Sequence, residues 1–331
     1  KNFNIFKGTV SIFITSLSSF LISLYWIFIA VYVYGDVKLS SSIFITTCLP
    51  LILSIKTTVF FVVAAKFCKL KSINFYFIAP IALCGVEFFR NYYLFGGFPW
   101  ANAGYSIARI DEFLQLASLV GIYGMVLFIG IINAFLAQFL EKLNMKLLMP
   151  ISLLLILTFA FGYYRLSLPL QTIDSLKIAI AQGNVDQYKK NKQDSLSDIN
   201  NIYKSLSEEA ANKNVDLLIW PESSYPYQLK ENIVDFEVAK QYKLPLIFGA
   251  VSFGYDEKDE FGYHYQNSAF FTDNLGNIVA RYDKSHLVPF GEYVPWPMQK
   301  IVDKIVPGMG AFKRGENNSR SEEHTSELQS H

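Results

Sequence analysis

YDKSHLVPFGEYVP at residues 282–295 and LIWPES at 218–223 decide how the chain is read. Each marks the end of an expected strand at an ionisable side chain: VDLLIW runs into Pro221 and Glu222, and GNIVARYD runs into Lys284. Strand ends in α/β folds often hold site residues, because the chain leaves the sheet there and borders a crevice. A partly desolvated carboxylate at such an edge can serve as a general base, or it can be a solvated strand-end acid. Lys284 can stabilise an oxyanion, lower the pKa of a neighbouring nucleophile, or lie on the surface. Glu292, in Pro289-Phe-Gly-Glu-Tyr, is either a site carboxylate or a brace for a turn-rich loop. His286 has no G-x-S-x-G elbow to serve and is read as a structural or hydrogen-bonding residue.

A carboxylate and a lysine around a polar pocket point to acyl chemistry, which needs a nucleophile. The three cysteines are Cys48, Cys68 and Cys84, all in or beside the apolar half, and none follows Cys84. They form neither a metal pattern nor a disulfide framework. The net charge of +1 argues against nucleic acid, which would want a basic stripe. Lys1 is not a Met and no signal-peptide pattern is visible, so the start is read as internal to a longer gene product.

Hydrophobic residues are 52% of the chain and charged residues 17%, unevenly spread. Apolar stretches of about 18 or more residues are candidate spans, and five are expected at 8–34, 42–65, 73–95, 113–140 and 146–164. Lys1 and Lys7, then Lys66, Lys69 and Lys71, then Lys142 and Lys146 fall in alternate loops. The positive-inside rule puts those loops in the cytoplasm and everything after Arg165 outside. Glu87 and Arg90 are three apart and share a helix face. Either they mark function, or Arg90 snorkels to the outer interface with Glu87 as partner. Lys56 sits mid-span and lines a polar cavity or marks a break. GGFPWANAGYS at 96–106 breaks the helix; it is an aromatic belt loop or part of a lipid-facing entrance.

After residue 165 the pattern changes. Strands are expected at 176–184, 215–222 and 244–252, and a hairpin across the turn at 274–276. An amphipathic helix is expected over 195–213, with Ile199, Ile202, Tyr203, Leu206 and Ala210 on one face, and a shorter one at 231–242. This is an α/β layered domain.

At this point the residues resemble the apolipoprotein N-acyltransferases, membrane-embedded members of the nitrilase superfamily. GGFPW with Gly104-Tyr105-Ser106, QLASLVGIYG at 115–124 and Asn133-Ala134 are similar to the family's membrane motifs. Gln182-Gly183-Asn184, LIWPES, Asn267-Ser268 and YDKSHLVPFGEYVP are similar to its catalytic motifs. The resemblance implies a multi-span α-helical membrane domain, 1–165, followed by an α/β nitrilase-like (α-β-β-α) domain, 166–319. It implies eight spans in all, so two before Lys1 and one beyond the other end. It implies two-step transfer of a fatty acyl chain from a phospholipid, through a cysteine thioester, to the N-terminal cysteine amine of a diacylglyceryl-modified apolipoprotein. Glu222 matches the general base, Lys284 the oxyanion-stabilising lysine and Glu292 a further essential carboxylate. Phe98, Trp100, Asn184 and Tyr282 are expected to bind substrate. No metal or organic cofactor is expected, and the place is the bacterial inner membrane with the catalytic domain periplasmic.

Two departures stand out. Where the family usually has Trp after a lysine, Lys190 is followed by Asn191. The nucleophilic cysteine, which the family carries downstream of PGMGAFKRGE at 307–316, is absent. RSEEHTSELQS reads as a translated sequencing-adapter oligonucleotide, so 320–331 are expected to be non-native and the fragment inactive. Two other readings remain: a membrane-tethered nitrilase or amidase for small amides, and a non-enzymatic transporter or receptor.

Overall fold

The structure, a computed structural model, describes residues 5–35, 37–93, 97–169, 174–186, 193–255, 262–289, 291–294 and 312–316. The chain forms two compact units, Lys1–Gln171 and Thr172–His331.

The first unit is helical, as an apolar sequence must be where no water is present to pair its backbone. Its long helices are α1 (Ile5–Ser23), α2 (Leu39–Lys71), α3 (Phe75–Tyr93), α4 (Ala117–Lys142) and α5 (Leu148–Ser167). Four of them, all but α3, are long and apolar enough to cross a membrane. At 19 residues α3 would reach about 28 Å, close to the hydrocarbon core, but Glu87 and Arg90 cut its hydropathy. The sequence reading of five spans therefore meets four apolar helices and one that carries a charge pair. The expected first span also ends early. α1 stops at Ser23, and a turn leads into the single turn Trp26–Ile29 and the π-helical Ala30–Tyr34. α2 runs unbroken past Lys56, whose ammonium lies 5.2 Å from the centroid of the Phe89 ring. The break expected there as one alternative does not occur. α3 and α4 approach closely at Gly130, where a Cβ would come within 2.9 Å of Pro80 Cα; small residues permit such contacts.

Arg90 does not snorkel. It is 3% exposed and ion-paired to Glu87, itself 5% exposed. The loop that follows is held by bonds of which one reaches the pair's side chains, while the Arg90 guanidinium also lies over the Phe20 ring, 5.6 Å from its centroid. Phe98 N–H donates to the Arg90 carbonyl at 3.0 Å, the backbone of Ala103 bonds the Glu87 carboxylate, and the Asn102 side chain accepts from Gly104 N–H at 2.8 Å.

The second unit is built on one mixed sheet. Its strands are β1 (Ile178–Ile180), β2 (Leu217–Ile219), β3 (Leu229–Lys230), β4 (Leu246–Tyr255), β5 (Tyr263–Thr272) and β6 (Ile278–Asp283). The order is β1-β2-β4-β5-β6, with β3 pairing β4 off this path. β1, β2 and β4 run parallel, and β4, β5 and β6 antiparallel. Helices α6 (Leu196–Asn212) and α7 (Glu237–Tyr242) contribute Ile199, Tyr203, Val238 and Ala239 to a core with Leu218, Trp220, Phe248 and Phe270. Burying each such large side chain contributes about 1.5–3 kcal/mol. Ile202, expected on the buried face of α6, is instead 39% exposed. The expected helix at 231–242 shrinks to Glu237–Tyr242, because the residues before it are drawn to the hairpin: Ile278 N–H donates to the Val234 carbonyl at 2.9 Å.

The other face of the sheet differs. Register aligns Ile180, Ile219, Ile247 and Phe271 across four strands, and Ile180 remains 77% exposed. Among the described residues no second layer covers this apolar face.

Candidate active site

Strand geometry brings the charged residues together. Trp220 N–H still pairs with the Ile247 carbonyl at 2.8 Å, and the chain then turns at Pro221 and Glu222 across β4. Gly249 makes room for that turn: a Cβ there would sit 2.7 Å from Glu222 Cα and 2.6 Å from Ser223 N. Asn267 lies mid-strand in β5, opposite Val251. Just past the end of β6, Lys284 N–H donates to the Asn267 carbonyl at 2.8 Å. The loop beyond places Glu292 by a reciprocal clasp. Val288 N–H donates to Glu292 Oε2 at 2.7 Å, and Glu292 N–H donates back to the Val288 carbonyl at 2.9 Å. Residues 312–315 close one side, with Gly315 N–H on the Lys284 carbonyl at 3.0 Å.

These elements converge on one ammonium. Lys284 Nζ donates to Glu222 Oε1 at 3.0 Å and to Glu292 Oε1 at 2.9 Å. Burial alone would push the Lys284 ammonium down, but its hydrogen bonds and charge contacts with Glu292 and Glu222 outweigh this and raise its pKa. Burial likewise works to raise the Glu292 carboxyl. The Val288 N–H, the Asn267 amide and the Lys284 ammonium overcome it, and the net shift is downward. Lysine stays charged and Glu292 stays ionised at neutral pH. The Glu222 side chain is 62% exposed against 13% for Glu292, so of the two carboxylates Glu222 is the one open to a reactant. An exposed carboxylate beside a fixed ammonium can take a proton while the cation faces developing negative charge.

The four residues expected to bind substrate are divided between the two units. Asn184 is exposed, has φ of 47° and accepts from Gln182 Nε2 at 2.9 Å. Tyr282 is 45% exposed, with its hydroxyl 3.2 Å from Ser285 Oγ. Phe98 and Trp100 belong to the first unit; Phe98 packs against Leu24 and Leu53, and Trp100 against Trp26 with ring centroids 4.9 Å apart. Asn191 and the stretch 320–331 lie outside the described residues. His286 is exposed. Cys48, Cys68 and Cys84 are in helices of the first unit. Among the described residues no cluster of three or more His, Cys, Asp or Glu could hold a metal ion.

Sequence reasoning places Asn267 in a motif but assigns it no role in the site. Its Nδ2 donates to Glu222 Oε1 at 2.5 Å and to Glu292 Oε1 at 3.0 Å. The one signal is that Asn267-Ser268 falls among the motifs similar to the family's catalytic ones. Ser268 points to the opposite face, where it donates to Asp283 Oδ1 at 2.6 Å and shares a hydrogen bond with Ser252 at 2.7 Å. Arg281 completes that seam, donating to Asp283, Ser252 and Gln266.

Known proteins match both units. The family model for the apolipoprotein N-acyltransferase N-terminal domain matches residues 4–135, and that for carbon-nitrogen hydrolase matches 177–310. An apolipoprotein N-acyltransferase from Geobacter metallireducens is 32% identical over 92% of this chain and 60% of its own length. One from Haemophilus influenzae is 28% identical over 93% of this chain and 60% of its own. Among solved structures, a Nesterenkonia amidase of the nitrilase superfamily superposes with a TM-score of 0.29 at 15% identity, over 44% of this chain and 51% of that one. The chain thus spans about 60% of the length of the first of these relatives. Four helices long and apolar enough to cross a membrane, and the match to the apolipoprotein N-acyltransferase N-terminal domain, make it a membrane protein. Its helical unit and its α/β unit match the two domains in the same order, and the chain belongs to the apolipoprotein N-acyltransferase family.

Proposed function

We propose that the chain carries the base, lysine and second carboxylate of an N-acyltransferase that moves a fatty acyl chain from a phospholipid to the N-terminal cysteine amine of a diacylglyceryl-modified apolipoprotein. The observation that carries the proposal is Lys284 Nζ held between Glu222 and Glu292 at 3.0 and 2.9 Å.

In this reading a cysteine outside these 331 residues is the nucleophile. Glu222 accepts the thiol proton as sulfur adds to the phospholipid ester carbonyl. Lys284 faces the oxygen that becomes negative. The carbon–oxygen bond then breaks, the proton passes from Glu222 to the departing alkoxide, and a thioester remains. In the second half the acceptor amine adds to the thioester, Glu222 takes its proton, and the thiolate leaves. Glu292 keeps Lys284 charged and aimed. Phe98 and Trp100 are assigned to acyl-chain contact, and Asn184 and Tyr282 to the polar part of the substrates.

The domain limits proposed are 1–165 and 166–319, and the place is the bacterial inner membrane with the second unit periplasmic. That sidedness requires α3 to cross as well as the four apolar helices. Support for the crossing comes from its length and from lysines at the ends of α2 and α4. Reporter fusions at residues 72 and 169 test it: opposite sides are expected, and the same side would refute the crossing. The chemistry is tested with a protein that supplies the missing cysteine. Incubated with radiolabelled phosphatidylethanolamine, it should form a hydroxylamine-sensitive acyl adduct and pass it to a lipopeptide. The 331-residue chain, with no cysteine after Cys84, should form none in its second unit. Small-amide hydrolysis without acyl transfer would favour an amidase instead.

A further inference from the structure

We infer that Asn267 is a positioning residue, whose side-chain amide holds Glu222 and Glu292 on the two sides of the Lys284 ammonium. Its consequence for catalysis rests on the proposed function, but the geometry it asserts can be measured without turnover.

Four polar atoms form a closed ring. Asn267 Nδ2 reaches Glu222 Oε1 at 2.5 Å and Glu292 Oε1 at 3.0 Å. Lys284 Nζ reaches the same two oxygens at 3.0 and 2.9 Å. The amide orientation is forced by chemistry, since ionised carboxylates only accept and an amide oxygen cannot donate to either. Both amide hydrogens are therefore used. Asn267 is 8% exposed, so water does not readily substitute for it. Its carbonyl also accepts Lys284 N–H at 2.8 Å, so one residue fixes the two carboxylates and the lysine backbone.

The residue type matters. Two carboxylates around one ammonium carry a net negative charge and repel each other. A third carboxylate would add to the repulsion. A second cation would hold Glu222 more tightly and blunt it as a base. An amide supplies two donors and no charge. Without it the carboxylates move apart and Lys284 keeps one partner instead of two.

The test is the rate at which Lys284 is acetylated by an N-hydroxysuccinimide ester in the detergent-solubilised chain, followed by mass spectrometry across pH. Exposed Lys230 and Lys240 serve as internal references. Wild-type Lys284 should label about tenfold more slowly than the references. Asn267→Ala and Asn267→Leu should remove that protection, about a tenfold rise at fixed pH, equivalent to about one unit of downward shift in the labelling midpoint. Ser268→Ala is the control. It breaks the seam on the opposite face, so it should lower the thermal midpoint and leave Lys284 protected. The inference is overturned if both Asn267 variants leave Lys284 labelling unchanged, or if Ser268→Ala releases Lys284 equally. Should neither Asn267 variant fold, wild-type Lys284 labelling as fast as Lys230 overturns it alone. A cysteine-bearing protein without acyl transfer would defeat the proposed function and leave this result as it stands.

Discussion

The two units each hold a carboxylate–cation cluster, and the clusters are built for different ends. Glu87 and Arg90 are sealed, 5% and 3% exposed, paired one to one on a single helix. The Glu87 carboxylate also takes a bond from the backbone of Ala103, and the Arg90 guanidinium lies over the Phe20 ring. Lys284 serves two carboxylates drawn from separate elements, and one of these, Glu222, has a side chain 62% exposed. A matched, buried pair is suited to holding structure. An excess carboxylate with access can exchange a proton. Composition does not separate the two clusters; exposure and stoichiometry do.

The largest expected effect breaks the open cluster. In the cysteine-bearing protein that the proposed function requires, Lys284→Ala should lower acyl transfer about 10³-fold, near 4 kcal/mol in the barrier. Glu222→Gln should fall in the same range. Neither should unfold the second unit, whose core lies among Trp220, Phe248 and Phe270 on the other side of the sheet. Transfer within tenfold of wild type for either variant would remove that residue from the chemistry.

Breaking the sealed cluster should cost stability rather than turnover. Glu87→Ala leaves Arg90 buried and unpaired, at a cost of about 3 kcal/mol. The double variant Glu87→Gln, Arg90→Met should recover most of it, because replacing both charges removes the desolvation they carry. Denaturant or thermal unfolding in detergent reads this. If the double variant is as unstable as the single one, the cost does not come from the unpaired charge.

Gly249 links the open cluster to its scaffold. Gly249→Val would drive a side chain into Glu222 Cα and Ser223 N, costing about 1–3 kcal/mol by overpacking and displacing Glu222. Lys284 acetylation should rise with the loss of that partner. Wild-type stability and labelling in the Gly249→Val variant would show that the turn at 221–223 can shift freely.

How much of this was legible follows from what each residue depends on locally. β2 and β6 end just before Glu222 and Lys284, so strand ends and site candidates could be read together. The convergence of Glu292 rests on a short loop whose residues are contiguous in the motif at 282–295. The role of Asn267 is not legible locally, because in a strand its facing depends on register with β4 and β6, which no local pattern fixes. β3 has two residues and no period to detect. The extended run before α7 follows a pairing with the hairpin far along the chain, which outweighs local helix preference. Arg90 was open between snorkelling and function because its burial depends on residues 97–107 folding back on α3.

The smallest expected effect is the response of the open cluster to pH. Glu292 has its folded pKa below the ordinary value of about 4.3. Its contribution is therefore fully present above that value and is lost as pH falls through the folded pKa. Lys284 is raised above about 10.4, so its contribution is fully present below that value and is lost as pH climbs through the folded pKa. Between about pH 5 and 10 neither group changes charge in either state, and the cluster's contribution to stability should be flat. The thermal midpoint of the second unit should hold steady over that window once other titrations are subtracted by comparison with Glu292→Gln. That variant should lose the acid-side dependence and keep the plateau shape. A difference between wild type and Glu292→Gln that varies inside the window would mean the carboxylate is not held as its contacts to Val288, Asn267 and Lys284 require.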